Sequence, residues 1–159
     1  MTSDPANDLL GHPSLTHLEA VDKFVFADKF RLGALVDGRT IVWFGAKFLL
    51  HFKDVVEGNV PDREMYSSTI LKATDDPAII AELGEKAEVH LAHLYRIIEL
   101  GEKGPGLFNG WGNIGYKRSP LDQQLWAVRW HVLDGGIFIG SRPGTVPGEW
   151  GSGPMVHGG

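Results

Sequence analysis

Apolar positions recur at helical spacing through one long stretch, and the remaining pattern falls on either side of it. In Asp76-Pro-Ala-Ile-Ile-Ala-Glu-Leu-Gly-Glu-Lys-Ala-Glu-Val-His-Leu-Ala-His-Leu-Tyr-Arg-Ile-Ile-Glu-Leu100, the residues Ile79, Ile80, Leu83, Ala87, Leu91, Leu94, Ile97 and Ile98 share one helical face. Asp76 is placed to cap this helix, Pro77 suits its first position, and Gly101 ends it. The pattern therefore predicts one helix over 77–100. Before it, residues 14–21 read as a short helix capped by Ser14, and 24–30 suits either a helix or a strand. Residues 31–45 read as a hairpin: Asp37-Gly38 is the pair a type I′ turn takes, and Thr40-Ile-Val-Trp-Phe44 is strongly β-prone. Phe48, Leu49, Phe52, Val55 and Val56 predict an amphipathic helix over 46–57, with a continuation of the sheet as the alternative, and a weaker helix is expected over 62–73.

After the long helix, the glycine-rich residues 101–112 read as a loop, and 113–116 begin a strand before a turn-rich tip at 117–122. Leu125-Trp-Ala-Val-Arg-Trp-His-Val132 alternates, with Trp126, Val128, Trp130 and Val132 on one face and Leu125, Ala127, Arg129 and His131 on the other. Asp134-Gly135 signals a second hairpin, and Ile137-Phe-Ile139 returns. The result is a single α+β domain over 14–142, between a flexible N-terminus at 1–13 and a Gly/Pro-rich tail at 143–159, with Trp150 available to pin the tail. Strands do not alternate with helices. The expected architecture is thus a single antiparallel five-stranded sheet, in the order β-β-α-α-α-β-β-β, with helices on one face.

That order resembles PAS and Cache sensor domains, and profilin-like and roadblock folds have related layouts. The segment Gly110-Trp-Gly-Asn-Ile-Gly-Tyr-Lys-Arg-Ser-Pro120, followed by a strand, Asp134-Gly135 and Ile137-Phe-Ile-Gly140, resembles the closing segment of small Cache domains. It departs from them at Gln123-Gln124, where those domains usually carry a lysine. The resemblance implies binding of a small organic or amino-acid-like ligand for signalling.

Composition narrows the classes. The 159 residues fit one domain with a substantial core. The absence of cysteine excludes disulfides, thiol catalysis and cysteine-held metals. The net charge of −5 and the lack of a basic run argue against nucleic acid. No apolar run is long enough to span a membrane, and Met1-Thr-Ser-Asp-Pro-Ala-Asn-Asp8 lacks the basic and apolar regions of a signal peptide, so a cytoplasmic protein is expected. The glycine-rich stretches match neither a phosphate loop nor a dinucleotide fingerprint.

Histidines supply the candidate chemistry. On a continuous helix His90 falls inside the apolar arc, His93 lies at its edge and Glu88 points away, so the three cannot share one ion; His51 and His131 are the remaining imidazoles a zinc ion would need. No metal and no cofactor is expected. His90 reads either as a hydrogen-bonded core residue or as a polar group offered to a pocket. Some PAS-type sensors hold haem through a histidine on the corresponding helix, and by that analogy His90 would be the haem ligand. Arg129 and His131 share a strand face, where Arg129 suits a carboxylate and His131 suits acid–base work; the alternative is a solvent face with Trp126 and Trp130 as core.

The leading expectation is a non-enzymatic small-molecule-binding or sensory module, homodimeric, with an aromatic-lined pocket between sheet and helices. Its site would comprise His90, Leu94, Trp126, Arg129, Trp130 and His131. A small enzyme of the NTF2-like kind (an isomerase, dehydratase or cyclase) using His90, His131 and Arg129 is one alternative. A roadblock-like protein-interaction scaffold without a pocket is the other.

Overall fold

The structure, a computed structural model, describes residues 9–107, 111–145 and 149–159. Its strands are β1 (Ser14–Leu18), β2 (Val21–Val25), β3 (Leu35–Val36), β4 (Arg39–Phe44), β5 (Val56–Val60), β6 (Arg63–Thr69), β7 (Thr74–Asp75), β8 (Asn113–Arg118), β9 (Leu125–Leu133), β10 (Gly136–Pro143), β11 (Glu149–Trp150) and β12 (Met155–Gly158). Its helices are α1 (Phe26–Lys29), α2 (Ala46–Phe52), α3 (Asp76–Leu83) and α4 (Leu91–Leu100), with single 3-10 turns at Gly84–Lys86 and Gly101–Lys103.

The expected five-stranded antiparallel sheet is replaced by a mixed sheet of eight strands, in the order β1-β6-β12-β8-β9-β10-β4-β3. The pairs β12–β8 and β10–β4 are parallel and the others antiparallel. Two small ribbons, β2–β5 and β7–β11, stand apart from it. The two Asp-Gly hairpins form as expected. Asp37 and Gly38 have φ of 51° and 75°, and Asp134 and Gly135 have 51° and 76°, the paired positive φ of a type I′ turn. Three other segments depart from expectation. Residues 14–18 and 63–69 are paired strands where helices were expected, and the expected C-terminal tail supplies β11 and β12. Residues 1–8, 108–110 and 146–148 lie outside the described residues, but Gly11 N–H already reaches the Thr69 carbonyl at 2.8 Å.

The long helix is broken. Asp75, not Asp76, is the N-cap of α3, accepting Ala78 N–H at 2.9 Å, with Pro77 in the first turn. Gly84, at φ 57°, ends it. Ala87 still has helical backbone angles, Glu88 forms an isolated bridge with Tyr116, Val89 N–H bonds the Tyr116 carbonyl, and His90 is extended. A new helix starts at Leu91, so its rotational phase owes nothing to α3. The buried face of α4 accordingly includes Leu91, Leu94, Ile97 and Ile98 together with His93.

The sheet is covered on both faces, whereas helices on one face were expected. On the inner face, α2, α4 and the β2–β5 ribbon bury Trp126, Val128, Trp130 and Val132 of β9 with Ile137 and Ile139 of β10. Phe26, Phe30, Phe48 and Phe52 pack ring to ring in the same layer. Each such side chain contributes roughly 1.5–3 kcal/mol on burial. On the outer face, α3 covers Ile114 and Tyr116 of β8, Ala127 of β9 and Val156 of β12. Among the described residues, no helix lies over the rest of the outer face across β10, β4 and β3, where Leu35, Val42, Trp43 and Leu133 are exposed. No helix among the described residues is long and apolar enough to cross a membrane.

Candidate functional site

The uncovered half of the outer face carries a groove of about 330 Å³, lined by Trp43, Gly112, Arg129, Trp130, His131, Phe138, Gly140 and Trp150. Strand alternation sets its membership. Arg129 and His131 point outward from β9 because Val128, Trp130 and Val132 point into the core. Pairing aligns Gly140 with Arg129 and Phe138 with His131, and the His131 and Phe138 rings stack at 4.9 Å and 2°. The parallel β10–β4 pair slips register between Ile137 and Phe138, so Ile41 still faces the core but Trp43 pairs with Phe138. The Trp43 indole, 49% exposed, folds over two glycines: a Cβ on Gly45 would lie 3.3 Å from its Cη2 and one on Gly140 3.5 Å from its Cζ3.

Arg129 is the cation of this groove. Its Nε lies 3.6 Å from the position a Gly140 Cβ would take, beside Trp43. It makes no hydrogen bond or ion pair with any described residue. Burial of part of its length and the neighbouring Arg142 charge push its pKa below the ordinary value, and Asp76 acts in the opposite direction. A guanidinium stays charged regardless, so the exposed Arg129 gives the groove a positive charge among aromatic rings.

One wall is fixed by a buried carboxylate. Asp76, in the first turn of α3, is fully buried and accepts three hydrogen bonds: Tyr116 Oη at 2.6 Å, Arg142 Nε at 2.7 Å and Trp150 Nε1 at 2.7 Å. The Arg142 guanidinium also lies 4.2 Å from the Trp150 ring centre. Burial, followed by the Asp76 charge, raises the Tyr116 pKa, so its hydroxyl stays a donor. Sequence reasoning treated Asp76 as a cap and did not connect it to this cluster. Only Trp150, read as a pin for the C-terminal segment, gave any signal of it.

The structure divides the sequence-predicted site. Arg129 and His131 come together in the groove, with Trp130 contributing to its lining while its indole packs into the core. Leu94 and Trp126 lie in the inner core: Leu94 packs where a side chain on Gly115 would collide with it, and Trp126 stacks on His51 at 3.7 Å. His90 is the N-cap residue of α4 with a side chain 35% exposed, 3.5 Å from the Glu57 carboxylate. The expected burial of the two helix histidines is reversed. His93 is completely buried, neither ring nitrogen makes a hydrogen bond of good geometry, and burial, with His90 adding to it, lowers its pKa against a smaller opposing effect of the Glu19 backbone.

Other polar clusters have structural duties. Glu57 caps α4 from a different strand, accepting Leu91 N–H at 2.9 Å and Ala92 N–H at 2.8 Å, and it pairs with Lys117 at 2.9 Å. Burial raises its pKa, but the Ala92 N–H and the Lys117 charge outweigh that and hold it below the ordinary value. His51 Nδ1 lies 2.7 Å from Ser119 Oγ, yet Ser119 is fully buried and its oxygen also accepts Leu121 N–H, which ties down the β8–β9 tip. Among the described residues, no group of three or more histidine or carboxylate side chains is arranged to hold a metal ion. No family model, curated protein or solved structure matches the chain.

Proposed function

We propose that the protein is a non-enzymatic binding module that takes a small organic ligand in the outer-face groove. The observation that carries this reading is Arg129, a cation without a partner among the described residues, set beside Trp43 in a recess that a glycine at position 140 keeps open. Arg129 is exposed, so its guanidinium can be reached from solvent, and small-molecule sites combine apolar walls with a few placed polar groups. The pocket expected between sheet and helices is not the one proposed, because that space is filled by the inner core. A fragment screen by thermal shift and tryptophan fluorescence tests the reading: compounds that stabilise the wild type should lose their effect in Trp43→Ala. If stabilisation survives that change for every compound, the groove is not the site.

One observation favours a second reading, a homodimer formed through the same face. Leu35, Val42 and Leu133 are exposed beside the groove, and strand pairing places Leu133, Gly136, Thr40 and Leu35 in one row. Light scattering decides this: a dimer that Leu133→Glu converts to a monomer supports it, and a monomeric wild type removes it.

A further inference from the structure

We propose that the ligand of this groove is a flat aromatic monocarboxylate, with its carboxylate on Arg129 and its ring against the indoles of Trp43 and Trp150. This rests on the binding-module reading above and narrows it to one chemical class.

Charge sets the anion. Arg142 is taken up by the Asp76 carboxylate, to which its Nε donates at 2.7 Å, whereas Arg129 makes no such bond among the described residues. Arg129 is the one arginine or lysine among the residues lining the groove, which suits a monoanion. A phosphate dianion would call for a second free cation in the recess. The planar guanidinium fork matches the two oxygens of a carboxylate.

The walls set the rest of the molecule. Trp43 lies over Gly45 and Gly140, Trp150 is held by Asp76, and the His131–Phe138 stack adds a further flat aromatic surface. Aromatic groups pack on such rings in stacked or edge-on arrangements. A volume of about 330 Å³ falls near the lower end of ligand pockets and suits one or two rings. Gly140 links the two halves, because the space above it adjoins both the Arg129 Nε and the Trp43 ring.

The test is a titration of the full chain with benzoate and phenylacetate. Their neutral amides, benzamide and phenylacetamide, serve as matched controls, cyclohexanecarboxylate as the non-aromatic acid and inorganic phosphate as the non-carboxylate anion. The readout is the five indole N–H resonances in proton–nitrogen correlation spectra. The acids should move the Trp43 and Trp150 resonances and bind about tenfold or more tightly than their amides, as expected for a charge-assisted pair. Cyclohexanecarboxylate should bind more weakly than benzoate, and phosphate should not compete. Arg129→Gln should erase the preference for acid over amide, and Arg129→Lys should restore part of it. Equal affinity for acid and amide overturns the carboxylate assignment and leaves the binding-module reading standing, provided both are lost in Trp43→Ala. Acid binding unchanged in Arg129→Gln, or no indole shift with any probe, also overturns the assignment. A wider fragment screen that finds no ligand at Trp43 overturns both.

Discussion

The indole N–H of Trp150 donates to the buried carboxylate of Asp76 at 2.7 Å across 74 residues of chain. This bond joins the first turn of α3 to the C-terminal ribbon, and it fixes one wall of the groove while Arg142 and Tyr116 complete the coordination of the carboxylate. Removing the carboxylate takes away the acceptor shared by Arg142 Nε, the Tyr116 hydroxyl and the Trp150 indole N–H. Asp76→Ala should therefore cost about 3–5 kcal/mol, the range for breaking a buried ion pair. Tyr116→Phe, which deletes only one donor, should cost about 1–2 kcal/mol. Urea unfolding of both variants checks the ranking; an Asp76→Ala loss no larger than that of Tyr116→Phe would mean that the cluster is not a unit.

Acid should destabilise the fold through its buried histidines. His157 is completely buried between Ser67 Oγ at 2.7 Å and Asn113 Oδ1 at 3.1 Å, and burial pushes its pKa down to about 3. The amide oxygen can only accept, so Nε2 carries the proton and Nδ1 accepts from the serine. An unfolded chain takes up a proton near the ordinary value of 6.5, while the folded chain does not until about 3. The stability contribution is full above the unfolded value and is lost as pH falls through that window, at up to about 1.4 kcal/mol per pH unit. His93, lowered for the same reason, adds to the effect. Urea midpoints measured from neutral pH downward should show the decline, and His157→Gln should flatten part of it.

Glu57 is the cap of α4 although it belongs to β5. Glu57→Ala removes the acceptor of two helix N–H groups and the partner of Lys117. The expected loss is roughly 2–3 kcal/mol, combining a lost cap with unsatisfied donors. Amide exchange at Leu91 and Ala92 should speed up more than exchange in α3. Uniform acceleration of both helices would show that the cap acts only through global stability.

Two glycines of the sheet should respond oppositely to a side chain. Gly115 faces α4, and a Cβ there would collide with Leu94, so Gly115→Ala should cost about 1–3 kcal/mol by overpacking. Gly140 faces the groove, where a Cβ meets neighbours only at 3.5 Å and beyond, so substitution should stay within about 0.5 kcal/mol. Thermal unfolding of the two variants distinguishes a packed face from an open one.

The parts of this fold legible in the sequence are local. Asp37-Gly38 and Asp134-Gly135 carry their turn conformation in two residues, and β9 announces its two faces by alternation, which put Arg129 and His131 together. What sequence reasoning missed depends on distant partners. In β6, Ser67 faces inward because it meets His157, so the strand lacks the apolar alternation that would reveal it. The parallel pairs β10–β4 and β12–β8 bring together segments with no turn between them. Gly84 breaks the helix, but the apolar spacing continues in register past it, so spacing alone predicts one continuous helix and places the two histidines in the wrong surroundings. Asp76 and Trp150 are linked only by the fold, and no spacing rule connects them.

Gly140→Leu tests the central claim most directly, because it fills the groove from a position whose Cβ already lies 3.5 Å from the Trp43 ring and 3.6 Å from Arg129 Nε. Proton–nitrogen correlation spectra of the wild type and this variant should be compared with one panel of small organic acids and amides. The account predicts that compounds shifting the Trp43 indole in the wild type shift nothing in Gly140→Leu, while the Trp126 indole resonance, in the inner core, stays unchanged. Ligand shifts that persist undiminished in Gly140→Leu, or that centre on His90 and Glu57 at the inner side of the sheet, would contradict it.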